Sequence, residues 1–178
     1  MKNAFSREDK FMVFYELGIS SLGCLLVARN NRAICFVALA DDPDLLVEHL
    51  QEKYPHAKQQ QNDTLLTSYL IRILNYIESP KGELDLPIEM EGTTFQKSVW
   101  MTLQQVPVGQ TRTYTELANM LGKPSAVRAV ANACAANSLA LLVPCHRIVN
   151  KNGTLSGYRW GVERKQILLG REKALLTV

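Results

Sequence analysis

The chain has 178 residues, 47% of them apolar and 21% charged, with a net charge of +3. This is a globular balance. It excludes a disordered polyelectrolyte, needs no disulfide scaffold at this length, and holds no apolar run near the roughly 20 residues of a membrane helix.

The first ten residues are too acidic and too poor in apolar side chains for a signal peptide. Cys24, Cys35, Cys134 and Cys145 lack CxxC spacing. The expectation is a cytoplasmic protein with free thiols.

Met12–Glu16, Leu22–Ala28 and Ala33–Leu39 are short apolar runs, with Gly18 and Gly23 punctuating the first gap and Asn30-Asn31 the second. They predict three strands in an antiparallel meander. Asp41-Asp42-Pro43 marks a helix start, and Leu46, His49, Leu50 and Lys53 share a face of that helix. Pro55–Asp63 is polar and glutamine-rich, a loop. Thr64–Glu78 repeats Leu66, Tyr69, Leu70, Ile73 and Ile77 at helical spacing. Ser79–Pro87 holds two prolines and a glycine. It reads as a linker between an N-terminal structural lobe, 1–87, and a second lobe, 88–178.

Charge divides near the same place. Residues 1–90 sum to −4 and residues 91–178 to +7. A basic half suits a polyanionic partner; it also suits a merely solvated face.

In the second lobe, Thr93 or Thr94 caps a helix whose core face is Phe95, Val99, Leu103 and Val106. Thr113–Leu121 is a short helix, Gly122-Lys123-Pro124 a break, and Ser125 the cap of a further helix, Ala126–Ala136. Helix, glycine turn and capped helix form a helix-turn-helix. The outer side of the second helix offers Ala126, Arg128, Ala129, Asn132 and Ala133. Small residues around one arginine suit a minor groove about 6 Å wide. Alanine also simply favours helix.

Leu139–Val143 reads as a buried strand ending at Pro144-Cys145-His146-Arg147. A free thiol with a pKa near 8.5 needs a base to become a nucleophile at neutral pH. In an extended segment Cys145 and His146 point to opposite faces, so His146 is expected to act through a water or to stand on the far wall of the site. Val162–Leu175 is the last helix, with Glu172 on the stripe of Leu168 and Leu169. A carboxylate there needs a partner. His146 is the candidate, which gives a Cys–water–His–Glu relay; the alternative is a solvated Glu172 at a frayed end. Between them, Asn150–Gly161 is turn-rich yet carries Tyr158 and Trp160. Such aromatics wall a pocket for a flat ligand or pack the loop down.

Pro144-Cys145-His146-Arg147, Asn137 upstream and Ser156-Gly157-Tyr158-Arg159 downstream resemble the O6-alkylguanine-DNA alkyltransferase family of methylated-DNA–protein-cysteine S-methyltransferases. The likeness is strongest to the alkyl-acceptor domain of its bacterial adaptive-response members, and runs through Gly92–Arg171. It implies an α/β fold: a small N-terminal antiparallel sheet-and-helix lobe, then a mainly helical lobe with the helix-turn-helix. It implies a monomeric suicide enzyme, without cofactor, that binds double-stranded DNA bearing O6-alkylguanine and flips the lesion. The alkyl group, from O6-alkylguanine and in some cases O4-alkylthymine, moves irreversibly to a cysteine.

By resemblance, Cys145 is the nucleophile, His146 the base, Glu172 its orienter and Asn137 the brace of the active-site turn. Arg128 enters the duplex, with Ser125, Ala126 and Ala129 at the groove. Tyr114 aids flipping and donates a proton to the leaving guanine. Tyr158 walls the base pocket. The backbone of Cys145 and Ile148 accepts from the guanine amine, and the Arg159 amide donates to O6. Trp160 is bulky where some relatives have glycine, which predicts poor acceptance of benzyl groups. Some relatives hold zinc with two cysteines and two histidines. Here Cys24 and Cys35 are present, but Arg29 and Asp85 stand at the histidine positions, so no metal is expected. A chain of this length also leaves no room for a transcription-factor region.

Three other classes fit parts of the pattern. A helix-turn-helix regulator would bind a defined sequence and ignore lesions. A cysteine hydrolase would turn over without DNA. An alkyltransferase-like binding protein would recognise lesions without reacting, but lacks the cysteine.

Overall fold

Three strands, β1 (Phe14–Ser20), β2 (Gly23–Arg29) and β3 (Ile34–Ala40), pair as the expected antiparallel meander. The computed structural model describes residues 12–60, 62–155 and 157–177; the first ten residues, read above for a signal peptide, and Ser156 of the resemblance lie outside them. Gly23 closes the first turn at φ +97°, where a Cβ would stand 2.7 Å from the Ala40 carbonyl oxygen, so only glycine fits. In the second turn the Asn30 side chain accepts from the amides of Arg32 and Ala33 at 2.8 and 3.0 Å.

Gly18 departs from expectation. It lies inside β1, where helix α2 (Thr64–Glu78) crosses so closely that a Cβ would meet Leu70 and Leu74 methyls at 3.1 Å. The polar segment read as a loop also yields a strand, β4 (Lys58–Gln59), parallel to β1. It is held by backbone bonds such as Lys58 N–H to the Val13 carbonyl at 2.9 Å, which carry no side-chain pattern. Helix α1 (Pro43–Lys53) starts at the Asp42 cap, buries Leu46 and Leu50, and packs on β2 and β3. His49 on its flank is exposed.

Strand β3 lies at one end of the sheet order β3-β2-β1-β4, yet six of its seven residues are buried. Its outer edge is closed by the rest of the chain. Ile34 exchanges backbone bonds with Pro87 and Glu89, both at 2.8 Å, and Val37 with Ser138 and Ala140 at 2.9 and 3.0 Å. Buried backbone groups are thereby satisfied and the edge is covered.

The second half opens on α3 (Thr94–Leu103), where Thr93 and Gln96 form a reciprocal capping box. Thr113 and Glu116 form another at α4 (Tyr114–Met120). The next helix differs from expectation. Pro124–Ala126 make one 3₁₀ turn, and α5 runs Val127–Ala135 with Ala126 at the cap position. Ser125 therefore sits within that turn and caps nothing; Pro124 sets the tighter winding one residue earlier. Ala133 faces inward, with its carbonyl accepting from the Trp100 indole at 2.8 Å.

Leu139–Val143 is a turn instead of a strand. Only Leu139 bridges, to Val37, and Leu141 adopts φ +69°. Two short strands, β5 (Arg112–Thr113) and β6 (Ile148–Val149), pair in parallel. They join the chain entering α4 to the chain leaving Cys145. The last helix, α6 (Val162–Ala174), straps the halves together. Arg164 donates to the Leu22 carbonyl at 2.6 Å and binds the Asp41 carboxylate. Arg171 donates to the Ile77 carbonyl at 2.6 Å and the Ser21 hydroxyl at 2.7 Å.

Candidate active site

Pro144 leads into a single 3₁₀ turn, Cys145–Arg147, closed by the Arg147 amide on the Pro144 carbonyl at 3.0 Å. Cys145 and His146 are thus about a third of a turn apart instead of on opposite faces of a strand. Cys145 is 7% exposed. Asn137, upstream, fastens the whole segment. Its Nδ2 donates to the Val143 carbonyl at 2.9 Å and to the Cys145 sulfur at 3.1 Å, while its Oδ1 accepts from the Leu139 amide at 2.9 Å.

Glu172 projects from the inward stripe of α6 with Leu168, fully buried, and is not a frayed solvated end. Its Oε1 lies 2.8 Å from His146 Nε2 and 2.9 Å from Arg147 Nη2; its Oε2 accepts from Arg147 Nε at 3.0 Å and from the Gly109 amide at 3.1 Å. Burial alone raises this carboxyl. The bonds from His146 and Arg147 outweigh it and hold the group at about 2. An ionised carboxylate can only accept, so His146 carries its proton on Nε2 and its lone pair on Nδ1. Nδ1 is buried without a partner among the described residues. Burial, stronger than the pull of Glu172, lowers the pKa of the imidazole, which is neutral.

Two neighbours went unread in the sequence. Arg147 is the counter-charge of Glu172 and also donates to the Val106 carbonyl at 2.6 Å and to the Tyr76 hydroxyl at 3.0 Å. Lys165 is fully buried on α6, and its ammonium donates to the Ile148 carbonyl. Lys165 shares the stripe of Leu168 and Glu172, three and seven residues on, and that spacing was the available signal. Burial raises the pKa of the Cys145 thiol; the Asn137 bond and the cations of Lys165 and Arg159 oppose it only in part. A base is needed to take its proton.

A cavity of about 350 Å³ opens over the sulfur, lined by Tyr114, Ala131, Cys134, Ala135, Cys145, Gly157, Tyr158 and Arg159. Helices α4 and α5 therefore form its wall. Tyr158 meets His146 edge-on at 6.3 Å between ring centroids. Trp160 and Ile148 do not line this cavity. Trp160 is buried with its ring edge-on to Phe36 at 6.4 Å, because its large apolar surface is better covered by the core of the sheet lobe. The Ile148 carbonyl is engaged by Lys165. On the open side, Ser125, Arg128 and Ala129 are exposed and Ala126 and Tyr114 half-buried.

Residues 94–174 match the DNA-binding domain of 6-O-methylguanine DNA methyltransferase, and residues 13–90 its ribonuclease-like domain. The inducible methylated-DNA–protein-cysteine methyltransferase of Bacillus subtilis is 39% identical over 148 residues, 83% of either chain. The chain belongs to the 6-O-methylguanine DNA methyltransferase family. Another member, the bifunctional transcriptional activator/DNA repair enzyme Ada of Escherichia coli, is 45% identical over 164 residues, 92% of this chain and 46% of that one. The chain thus spans about half the length of that relative. The fold matches the crystal structure of Mycobacterium tuberculosis OGT in complex with DNA with a TM-score of 0.75 at 28% identity, covering 92% and 93% of the two chains.

The zinc donors of some family members do not fit here. The Arg29 guanidinium pairs with Asp63 at 2.6 Å, a fixed cation that repels a metal. No helix among the described residues is long and apolar enough to cross a membrane.

Proposed function

We propose that this chain reverses alkylation damage in duplex DNA, taking the alkyl group of O6-alkylguanine irreversibly onto Cys145 as a cytoplasmic monomer. One observation carries the reading: the thiol and a neutral imidazole with an unused lone pair lie beneath a cavity walled by a helix-turn-helix. The four free cysteines fit a reducing compartment.

The Cys145 proton passes through a water to His146 Nδ1. Glu172 then faces an imidazolium, which its negative charge stabilises. Sulfur attacks the alkyl carbon in line, the carbon–O6 bond breaks, and its electron pair moves into the guanine ring. Tyr114, at the cavity wall, supplies the proton that neutralises the leaving guanine, and the Arg159 amide catches charge at O6. Arg128 on α5 fills the space the extruded nucleotide leaves, and the small residues Ala126 and Ala129 let the helix approach the groove. Extrusion costs about a few kcal/mol, least at a damaged pair. A thioether is not cleaved by water, so each molecule reacts once.

The test is mass spectrometry after mixing the protein with a duplex carrying one O6-methylguanine. One methyl on the Cys145 peptide per molecule, with guanine restored, is the expected result. Protein that binds the lesion but stays unmodified would make this a binding module instead. Cys145→Ala should transfer nothing and bind the duplex as before.

A further inference from the structure

Arg159 lines the cavity and its side chain is exposed. Three arginines of the active-site turn and α6 each meet an acid: Arg147 meets Glu172, Arg164 meets Asp41 and Arg171 meets Glu78. Arg159 forms no ion pair with a carboxylate among the described residues. Its guanidinium instead lies over the Trp160 ring, 4.9 Å from the centroid. That ring is itself anchored, 4% exposed and edge-on to Phe36, and the Trp160 carbonyl accepts from Arg164 at 2.9 Å. The cation is therefore braced on a platform that belongs to the core.

A planar cation with one face on an aromatic ring has its N–H edge left for a ligand. That edge matches two oxygens of a phosphate, and the stack lowers the entropy lost on binding. The position matters as much as the chemistry. A base that descends to Cys145 leaves its sugar and phosphate at the rim, where Arg159 stands. The charge also reaches the sulfur, since Arg159 is among the groups that pull the Cys145 thiol downward.

We propose that the Arg159 side chain, braced on Trp160, holds a backbone phosphate of the nucleotide whose base enters the cavity. This rests on the repair reading above. It gives the side chain a role separate from its backbone amide, and makes Arg159 a positioning residue.

The test uses the full chain with Cys145→Ala, so that binding is read without reaction. Affinity for a duplex carrying one O6-methylguanine is measured across a salt series, with and without Arg159→Gln. Losing one phosphate contact flattens the slope of log affinity against log salt by about 0.9. Arg159→Lys keeps the charge and restores most of the slope. With Cys145 present, Arg159→Gln should lose about tenfold more single-turnover rate on duplex than on the free base O6-methylguanine. An unchanged slope overturns the proposal. So does an equal loss on duplex and free base, which would put the guanidinium against the base. If the unsubstituted chain moves no methyl from the lesion duplex, the repair reading itself fails, and mass spectrometry shows this independently of any slope.

Discussion

Glu172 serves three partners with one charge: His146, Arg147 and the Gly109 amide. Glu172→Gln leaves Arg147 buried without a counter-ion, a change that costs about 3–5 kcal/mol, and denaturant unfolding would read it. The same carboxyl sets a pH dependence. Its value is about 2 in the fold, against an ordinary 4.5. Its contribution is therefore complete above pH 4.5, about 3 kcal/mol, and fades as pH falls towards 2. Stability measured at pH 7 and pH 3 should differ less in Glu172→Gln than in the parent. Lys165 acts on the thiol itself. Lys165→Met should shift the pH midpoint of Cys145 alkylation by iodoacetamide upward, since a cation that favours the thiolate is gone. Cys145, His146 and Glu172 were legible because a motif and a helical stripe point at one another. The mate of Glu172, Arg147, was not: neighbours in sequence show no direction until a 3₁₀ turn fixes it.

Among the elements, one cap and one brace matter most. Thr113→Ala removes the capping box of α4 and should cost about 1 kcal/mol, with a further loss of methyl transfer because Tyr114 opens that helix. Asn137→Ala strips partners from the Val143 carbonyl, the Leu139 amide and the Cys145 sulfur. Thermal unfolding should show a loss of about 2–4 kcal/mol. The meander, α1, α2 and α3 were readable from period and caps. The turn 139–143 was not, because an apolar run looks the same whether it is buried as strand or as turn. Nor were β4, β5 and β6, which are two-residue pairings of backbone with no side-chain signature.

At the scale of the molecule, the two halves share β3 as a seam and α6 as a strap. The sheet lobe and the helical lobe should melt together. Calorimetry should show one transition, and Arg164→Ala should lower it as a whole. The boundary read at 87 marks a change of composition, but Pro87 and Glu89 bond to Ile34, so the linker is part of the sheet's edge. In the proposed reaction, the parallel pair β5–β6 fixes where the sulfur lies relative to α4. Thr113 caps α4 and pairs with Val149, four residues past the thiol. The helix proposed to approach the duplex is thus tied to the chain that leaves the sulfur by this backbone pair. On the proposed function the protein works as a depth gauge. A base that swings part-way out hangs short of the sulfur and returns to its stack unread, and only one that descends the full distance is judged by chemistry.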